Sequence, residues 1–377
     1  MRKYLIISLL ASYSIVFAGE SEDFKAVDNL YKERNFKTAL TESEKFLQKY
    51  PESKHQKSMR DKVAKIYFLE KNYKKAEELF KKLFTMEEKQ SQKEEYASYL
   101  ARTNALLNNS NSAMFYLREI KDEKTFQKTF FAVAQDFLAK ENNEAAKKAY
   151  TEIINNKYEN YKESMMGLGI VYYNLKDYDK AIYWLSEFSK AMPNENKEMV
   201  SYLRASAIYR KGSTDEAIKY FEELANMTPA SEYSRKAALY LIEIYSNRKD
   251  EAKVRFYLEK LKGTKEYNTA MTMIGDLYVT KENYEKALDY YNQSNDKNNP
   301  KLIYGEAYSL YKKGKYEEAL KKFQSLKNSD YYNQSIYHIF AINYKLKNFD
   351  EIIRNREIIR KVVVSQVDTD NIDRKSV

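Results

Sequence analysis

Cysteine is absent from the 377 residues, which excludes disulfide frameworks, thiolate nucleophiles, Cys-bearing zinc sites and a lipid-modified Cys anchor. Histidine is almost absent. His55 and His338 stand 283 positions apart, so a His-based triad or multi-histidine metal centre would need one imidazole or the whole molecule. Eight Gly and four Pro leave little for hairpin corners, which argues for helices over barrels or sandwiches. The glycines also form no phosphate-binding loop: Gly167, Gly169, Gly275 and Gly305 fall inside helical segments, Gly212 and Gly314 at turns, Gly263 between segments and Gly19 near the start. What is present is 43% apolar and 15% aromatic, too much for a disordered chain, in a length that exceeds one compact core.

Residues 1–18 have the pattern of a signal peptide. Arg2 and Lys3 form a basic start, Leu5 to Phe17 is apolar apart from Ser8, Ser12, Tyr13 and Ser14, and Val16 and Ala18 suit a signal-peptidase site. That run is shorter than the roughly 18 to 20 residues of a spanning helix, so cleavage after Ala18 and a mature chain without a transmembrane span are expected. At the other end, residues 361–377 read as a polar tail. Asp368-Thr369-Asp370-Asn371-Ile372-Asp373 mimics the start of a calcium loop, but Ile372 and Asp373 replace a ligand and the turn glycine, and no Glu closes it.

Between these ends the sequence repeats itself. An alanine preceded three positions earlier by an aromatic recurs at Ala39, Ala76, Ala181, Ala287 and Ala319. Weaker copies stand at Ala113, Ala146 and Ala217, and degenerate ones at Val254 and Ile352. Ten markers spanning 313 positions in nine intervals give a period of about 34.8 residues. Apolar residues at helical spacing on both sides of turns such as Asp177 make each period two amphipathic helices. Pro51, Pro193, Pro229 and Pro300 fall 12 or 13 residues after a marker, where a second helix ends or the next repeat begins. Gly212 and Gly314 sit at the turn within a repeat, where positive φ favours glycine.

The phrases Leu168-Gly169, Tyr172, Tyr178, Ala181 and Pro193, and again Ile274-Gly275, Tyr278, Tyr284, Ala287 and Tyr291, resemble the tetratricopeptide repeat (TPR) pattern. Tyr50-Pro51-Glu52-Ser53 is similar to the inter-repeat linker of exported bacterial cell-envelope TPR proteins, though this chain has no lipobox Cys and no N-terminal coiled-coil block. The resemblance implies an all-α fold: an α-solenoid of about ten TPR-type helical hairpins over residues 19–360, forming a right-handed superhelix. It implies a concave groove lined by first helices, with Tyr173, Tyr202, Tyr209, Tyr304, Tyr308, Tyr311, Tyr337 and Tyr344 as the partner-binding residues. The alternative is that these rings pack between neighbouring first helices. The family's carboxylate clamp is not reproduced, because Phe24, Asp61, Phe131, Met166, Tyr202, Thr272 and Tyr304 occupy the places of its lysines.

Net charge is +10, falling to about +8 without Arg2 and Lys3, but it is spread over mixed runs such as Glu70-Lys71-Asn72-Tyr73-Lys74-Lys75 that suit solvated helix faces. The expectation is a non-catalytic scaffold, with no cofactor, metal or nucleic acid. It would bind a protein or peptide in the periplasm or peripherally at the outer membrane. Two alternatives remain open: a binder of anionic envelope polymer or lipid surface, and a cytoplasmic TPR regulator with an uncleaved N-terminus.

Overall fold

The computed structural model describes residues 19–227, 230–358 and 360, and every element among them is helical. The signal-peptide pattern, Pro229 and the C-terminal tail lie outside the described residues. Two compact units divide between Lys211 and Gly212. The first unit holds α1 (residues 19–32), α2 (Phe36–Lys49), α3 (Gln56–Leu69), α4 (Tyr73–Met86), α5 (Gln90–Leu106), α6 (Ser110–Arg118), α7 (Glu123–Ala139), α8 (Asn143–Asn155), α9 (Tyr161–Asn174), α10 (Tyr178–Ala191) and α11 (Lys197–Lys211). The second holds α12 (Thr214–Ala225), α13 (Glu232–Asn247), α14 (Glu251–Leu261), α15 (Lys265–Thr280), α16 (Tyr284–Gln293), α17 (Pro300–Lys312), α18 (Tyr316–Ser325), α19 (Tyr332–Lys345) and α20 (Phe349–Arg354). Odd-numbered helices are the first helices of the repeats, even-numbered ones the second. Within each unit a second helix packs on the first helix of the next hairpin, as α4 does on α5 and α16 on α17.

One turn geometry recurs at every marker. The residue five positions before it has positive φ in all ten cases: Arg34, Lys71, Asn108, Glu141, Lys176, Gly212, Lys249, Glu282, Gly314 and Lys347. The degenerate markers Val254 and Ile352 therefore keep the register. Gly212 and Gly314 take the positive φ expected of them, but glycine is not the general solution, since the other eight of these ten residues are non-glycine with φ between 57° and 61°. What stabilises the turn is the next residue. Its N–H bonds back to the first helix, as Asn72 to Tyr67 O (2.8 Å) and Asp250 to Tyr245 O (2.9 Å), which closes the helix C-terminus. At six of the ten turns its side chain also caps the second helix, as Asp250 accepts from Lys253 N at 3.1 Å and Asn283 from Lys286 N at 3.1 Å. One Asn or Asp thus ends one helix and starts the next, and that compensates the roughly 1 kcal/mol of left-handed backbone.

The marker alanines Ala39, Ala76, Ala113, Ala146, Ala181, Ala217, Ala287 and Ala319 are fully buried. Bulk is supplied four residues later, by Phe80, Tyr150, Leu185, Tyr291 and Phe323 among others, also buried. Where that residue is Tyr, the adjoining first helices carry glycine. A Cβ on Gly167 would come within 2.4 Å of the Tyr150 ring, and one on Gly275 within 2.4 Å of Tyr291. Pro300 stands at the start of α17, where its missing N–H costs nothing.

Candidate functional site: the wall of first helices

First helices of successive hairpins touch one another, α5 with α7, α13 with α15 and α15 with α17, so each unit presents a wall built from them. In the first unit this wall is cross-linked by polar rungs spaced about one repeat apart. Lys62 pairs with Asp28 at 2.9 Å, and Lys65 with Glu95 at 2.7 Å and Asp61 at 2.8 Å. Arg102 meets Asp136 with a fork of 2.8 and 3.2 Å, Ser98 and Thr129 hydroxyls lie 2.8 Å apart, and Tyr173 bonds Ser206 at 2.7 Å. In the second unit Arg235 reaches Glu266 at 3.1 Å.

These rungs are buried enough to perturb titration. Burial pushes the Asp61 carboxyl above its usual range, with Lys65 opposing, and Asp61 Oδ1 has no hydrogen-bond partner. Burial likewise raises Asp136 despite Arg102. Burial disfavours the Lys65 ammonium, but bonds to Asp61 and Glu95 more than offset it and raise its pKa. Asp136 is committed to Arg102 on the neighbouring first helix, whereas Asp61 pairs with Lys65 one turn along its own helix and Lys65 carries the link on to Glu95, so both carboxylates belong to packed ion pairs. Sequence reading missed these rungs, although opposite charges one period apart, such as Arg102 and Asp136, were there to be found.

The eight expected groove tyrosines divide into two classes. Tyr173, Tyr202, Tyr209, Tyr304, Tyr308 and Tyr311 are half-buried, whereas Tyr337 and Tyr344 are 60% and 64% exposed. Position in the repeat explains much of this. An aromatic eight residues before the marker packs on the one three before it: Tyr31 on Phe36, Phe68 on Tyr73, Tyr173 on Tyr178, Tyr311 on Tyr316 and Tyr344 on Phe349, with centroids 5.8 to 6.2 Å apart. The following first helix then contacts that ring, as Tyr99 contacts Phe68 (5.4 Å) and His338 contacts Tyr311 (5.4 Å). Tyr344 belongs to the last hairpin among the described residues and is exposed. The wall therefore does not present an uninterrupted row of accessible rings: Tyr173, Tyr304, Tyr308 and Tyr311 each meet a residue of the next hairpin.

His338 completes that contrast. Its ring stacks on Phe323 (4.9 Å) and meets Tyr308 and Tyr311 (5.4 Å each), while its Nε2 lies 3.2 Å from Tyr304 Oη. Nδ1 is buried without a partner, and burial, with Lys312 adding to it, lowers the imidazole pKa to about 4. The fold thus favours the neutral ring. Stability from this site is complete above the unfolded-state pKa near 6.5 and is lost as pH falls towards about 4. Allowing for partial solvent contact, we expect a loss of about 1 to 2 kcal/mol between pH 7 and pH 4.5 that His338→Phe does not share. Parallel denaturant titrations at the two pH values measure it, and an identical pH dependence in both proteins would refute it.

Among the described residues no group of three or more His, Asp or Glu side chains is placed to hold a metal ion, and no helix is long and apolar enough to cross a membrane.

Comparison with known proteins follows the same lines. Three tetratricopeptide repeat profiles match, over residues 62–90, 131–195 and 169–330. No curated protein matches the sequence. Similar solved structures include yeast Tom70, at 13% identity over 95% of this chain and 96% of that one, with a TM-score of 0.38. PilW, a type IV pilus biogenesis factor, is similar at 14% identity over 58% of this chain and 97% of its own (TM-score 0.41). A tetratricopeptide repeat protein from Parabacteroides merdae is similar at 10% identity over 77% and 98% (TM-score 0.42). The profiles fall on the same hairpins whose turns and buried alanines recur with the sequence period, and the chain accordingly belongs to the tetratricopeptide repeat family, its hairpins forming an α-solenoid of that type.

Proposed function

We propose that this protein is a non-catalytic interaction scaffold of the bacterial cell envelope, which holds a protein or peptide segment against the C-terminal hairpin of its first-helix wall. The observation that carries the reading is the exposure of Tyr337 and Tyr344 on α19. Seven residues apart, they lie two turns along one helix face, and Phe349, 52% exposed, extends the apolar surface. Phe340, Tyr344 and Phe349 line a shallow groove with Lys345 and Lys347 at its edge, which favours a partner carrying acidic residues beside an apolar anchor. Rigid aromatic rings of this kind are the usual anchors of protein interfaces. The envelope assignment rests on the export pattern of residues 1–18 and the Tyr50-Pro51 linker.

Crosslinking in native cells followed by fractionation tests the whole reading. The expected result is a crosslinked partner recovered with the protein in the periplasmic fraction, and at least about tenfold less of it with Tyr337→Ala/Tyr344→Ala. Undiminished crosslinking by that variant would refute the anchors, and recovery with the cytoplasm would refute the location.

A further inference from the structure

We infer that the α13–α14 hairpin carries a second binding site, a pocket that takes an aromatic side chain of a partner peptide flanked by acidic residues. It stands apart from the α19 groove and does not depend on it.

The pocket arises from two substitutions in the repeat. At the two positions where five other hairpins place the packed aromatic pair, this hairpin has Ser246 and Glu251. A cavity of about 350 Å³ opens there, between α13–α14 and α15–α16. Loss of the pair alone does not explain the opening. Four other hairpins also lack it: α11–α12 and α15–α16 keep one ring of the pair, Tyr209 and Tyr284, and in α5–α6 and α7–α8 a side-chain bridge spans the position instead. Ser110 Oγ accepts from Asn142 Nδ2 at 3.2 Å, and Asn143 Oδ1 accepts from Asn174 Nδ2 at 3.2 Å. At α13–α14 the only such bond among the described residues runs from Lys281 Nζ to the Ser246 backbone oxygen at 3.4 Å, and no side-chain bridge joins Ser246 or Glu251 to the next hairpin within hydrogen-bond distance. The Glu251 carboxylate is 3.7 Å from Lys286 Nζ and 3.8 Å from Arg255 Nη2, beyond hydrogen-bond distance from either. Ser246 Oγ is buried with no hydrogen-bond partner.

The lining states what would fit. Tyr278 stacks on Tyr290 with centroids 5.5 Å apart, and with Tyr245, Val254 and Ile274 they form an apolar floor. An incoming ring would rest on this floor and stack with the tyrosine pair. The rim carries Lys249, Arg255, Lys281 and Lys286 against Asp250 and Glu251, an excess of two positive charges. Asp250 is already committed as a helix cap, leaving Glu251 to face the cations. A neutral aromatic ligand would leave that excess uncompensated. Carboxylates beside the ring would compensate it, which is why the ligand is an acidic peptide with an aromatic residue and not a greasy segment.

Fluorescence anisotropy tests the site with a labelled pentapeptide, a central phenylalanine flanked on each side by two glutamates. The full-length protein should bind it saturably, and a probe with central alanine at least about tenfold more weakly. Ser246→Phe/Glu251→Tyr, which restores the pair, should raise the melting temperature and weaken binding by about tenfold or more. Lys281→Glu/Lys286→Glu should weaken it similarly without filling the cavity, so the inference stays testable if the filled variant folds poorly. Lys321→Glu, a charge reversal on an exposed face, should leave it unchanged. Absence of saturation up to about 1 mM, equal affinity for the alanine probe, or full binding by both pocket variants would overturn the inference.

Discussion

Ala181→Asp should cost about 3 to 5 kcal/mol of unfolding free energy, whereas Lys180→Asp, one residue away, should cost less than about 1 kcal/mol. Ala181 is fully buried where α10 meets α9, with no space for a carboxylate. A buried ionised group without a partner must either be neutralised or force the helices apart. Lys180 points into solvent, where it bonds Asp177 at 2.7 Å and lies over Tyr172. Reversing its charge loses a surface ion pair and sets two acids side by side, an effect of a few tenths to about 1 kcal/mol. Denaturant unfolding of the two variants separates them, and equal midpoints would contradict the placement of the marker alanine between the helices.

Gly275→Ala should destabilise the second unit by about 2 to 3 kcal/mol, the opposite of its effect in an ordinary helix. In the middle of an unhindered helix, alanine is favoured over glycine by roughly 1 kcal/mol. Here the new Cβ would stand 2.4 Å from the Tyr291 ring, itself fully buried and bonded through its hydroxyl to Asp276 at 2.6 Å. The ring cannot retreat, because a Cβ on Gly305 would meet its other end at 2.4 Å. The cost therefore belongs to a pair, and a double-mutant cycle isolates it. In a Tyr291→Leu background Gly275→Ala should cost little or become favourable. An unchanged penalty in that background would show that the clash with Tyr291 is not its source.

The hairpins were legible in the sequence because their determinants are local and repeat. A small residue must stand where two helices approach, and Ala39 through Ala319 mark those places whatever surrounds them. The turn was legible only in part. Attention to glycine finds Gly212 and Gly314, but the other turns rely on a backbone bond and a cap supplied by residues such as Asn72, Asn109, Asn142, Asp177, Asp250 and Asn283, whose double role shows only when both helix ends are seen together. The wall was least legible. Periodicity assigns Tyr173, Tyr311 and Tyr344 to one helix face but does not say what lies one repeat further on. Tyr173 meets Ser206, Tyr311 meets His338, and Tyr344 has no following hairpin among the described residues. The same repeat position thus gives packing in two cases and an open ring in the third.

That division is tested most directly by measuring stability and partner capture together for Tyr311→Ala and Tyr344→Ala. Tyr311 fills space between two hairpins, so its loss should lower unfolding free energy by about 2 to 4 kcal/mol and affect capture only as far as the protein unfolds. Tyr344 is exposed, so its loss should leave stability within about 0.5 kcal/mol of the parent and reduce capture roughly tenfold or more. If Tyr344→Ala instead proves as destabilising as Tyr311→Ala, or captures the partner undiminished, the C-terminal hairpin is not the scaffold's binding surface.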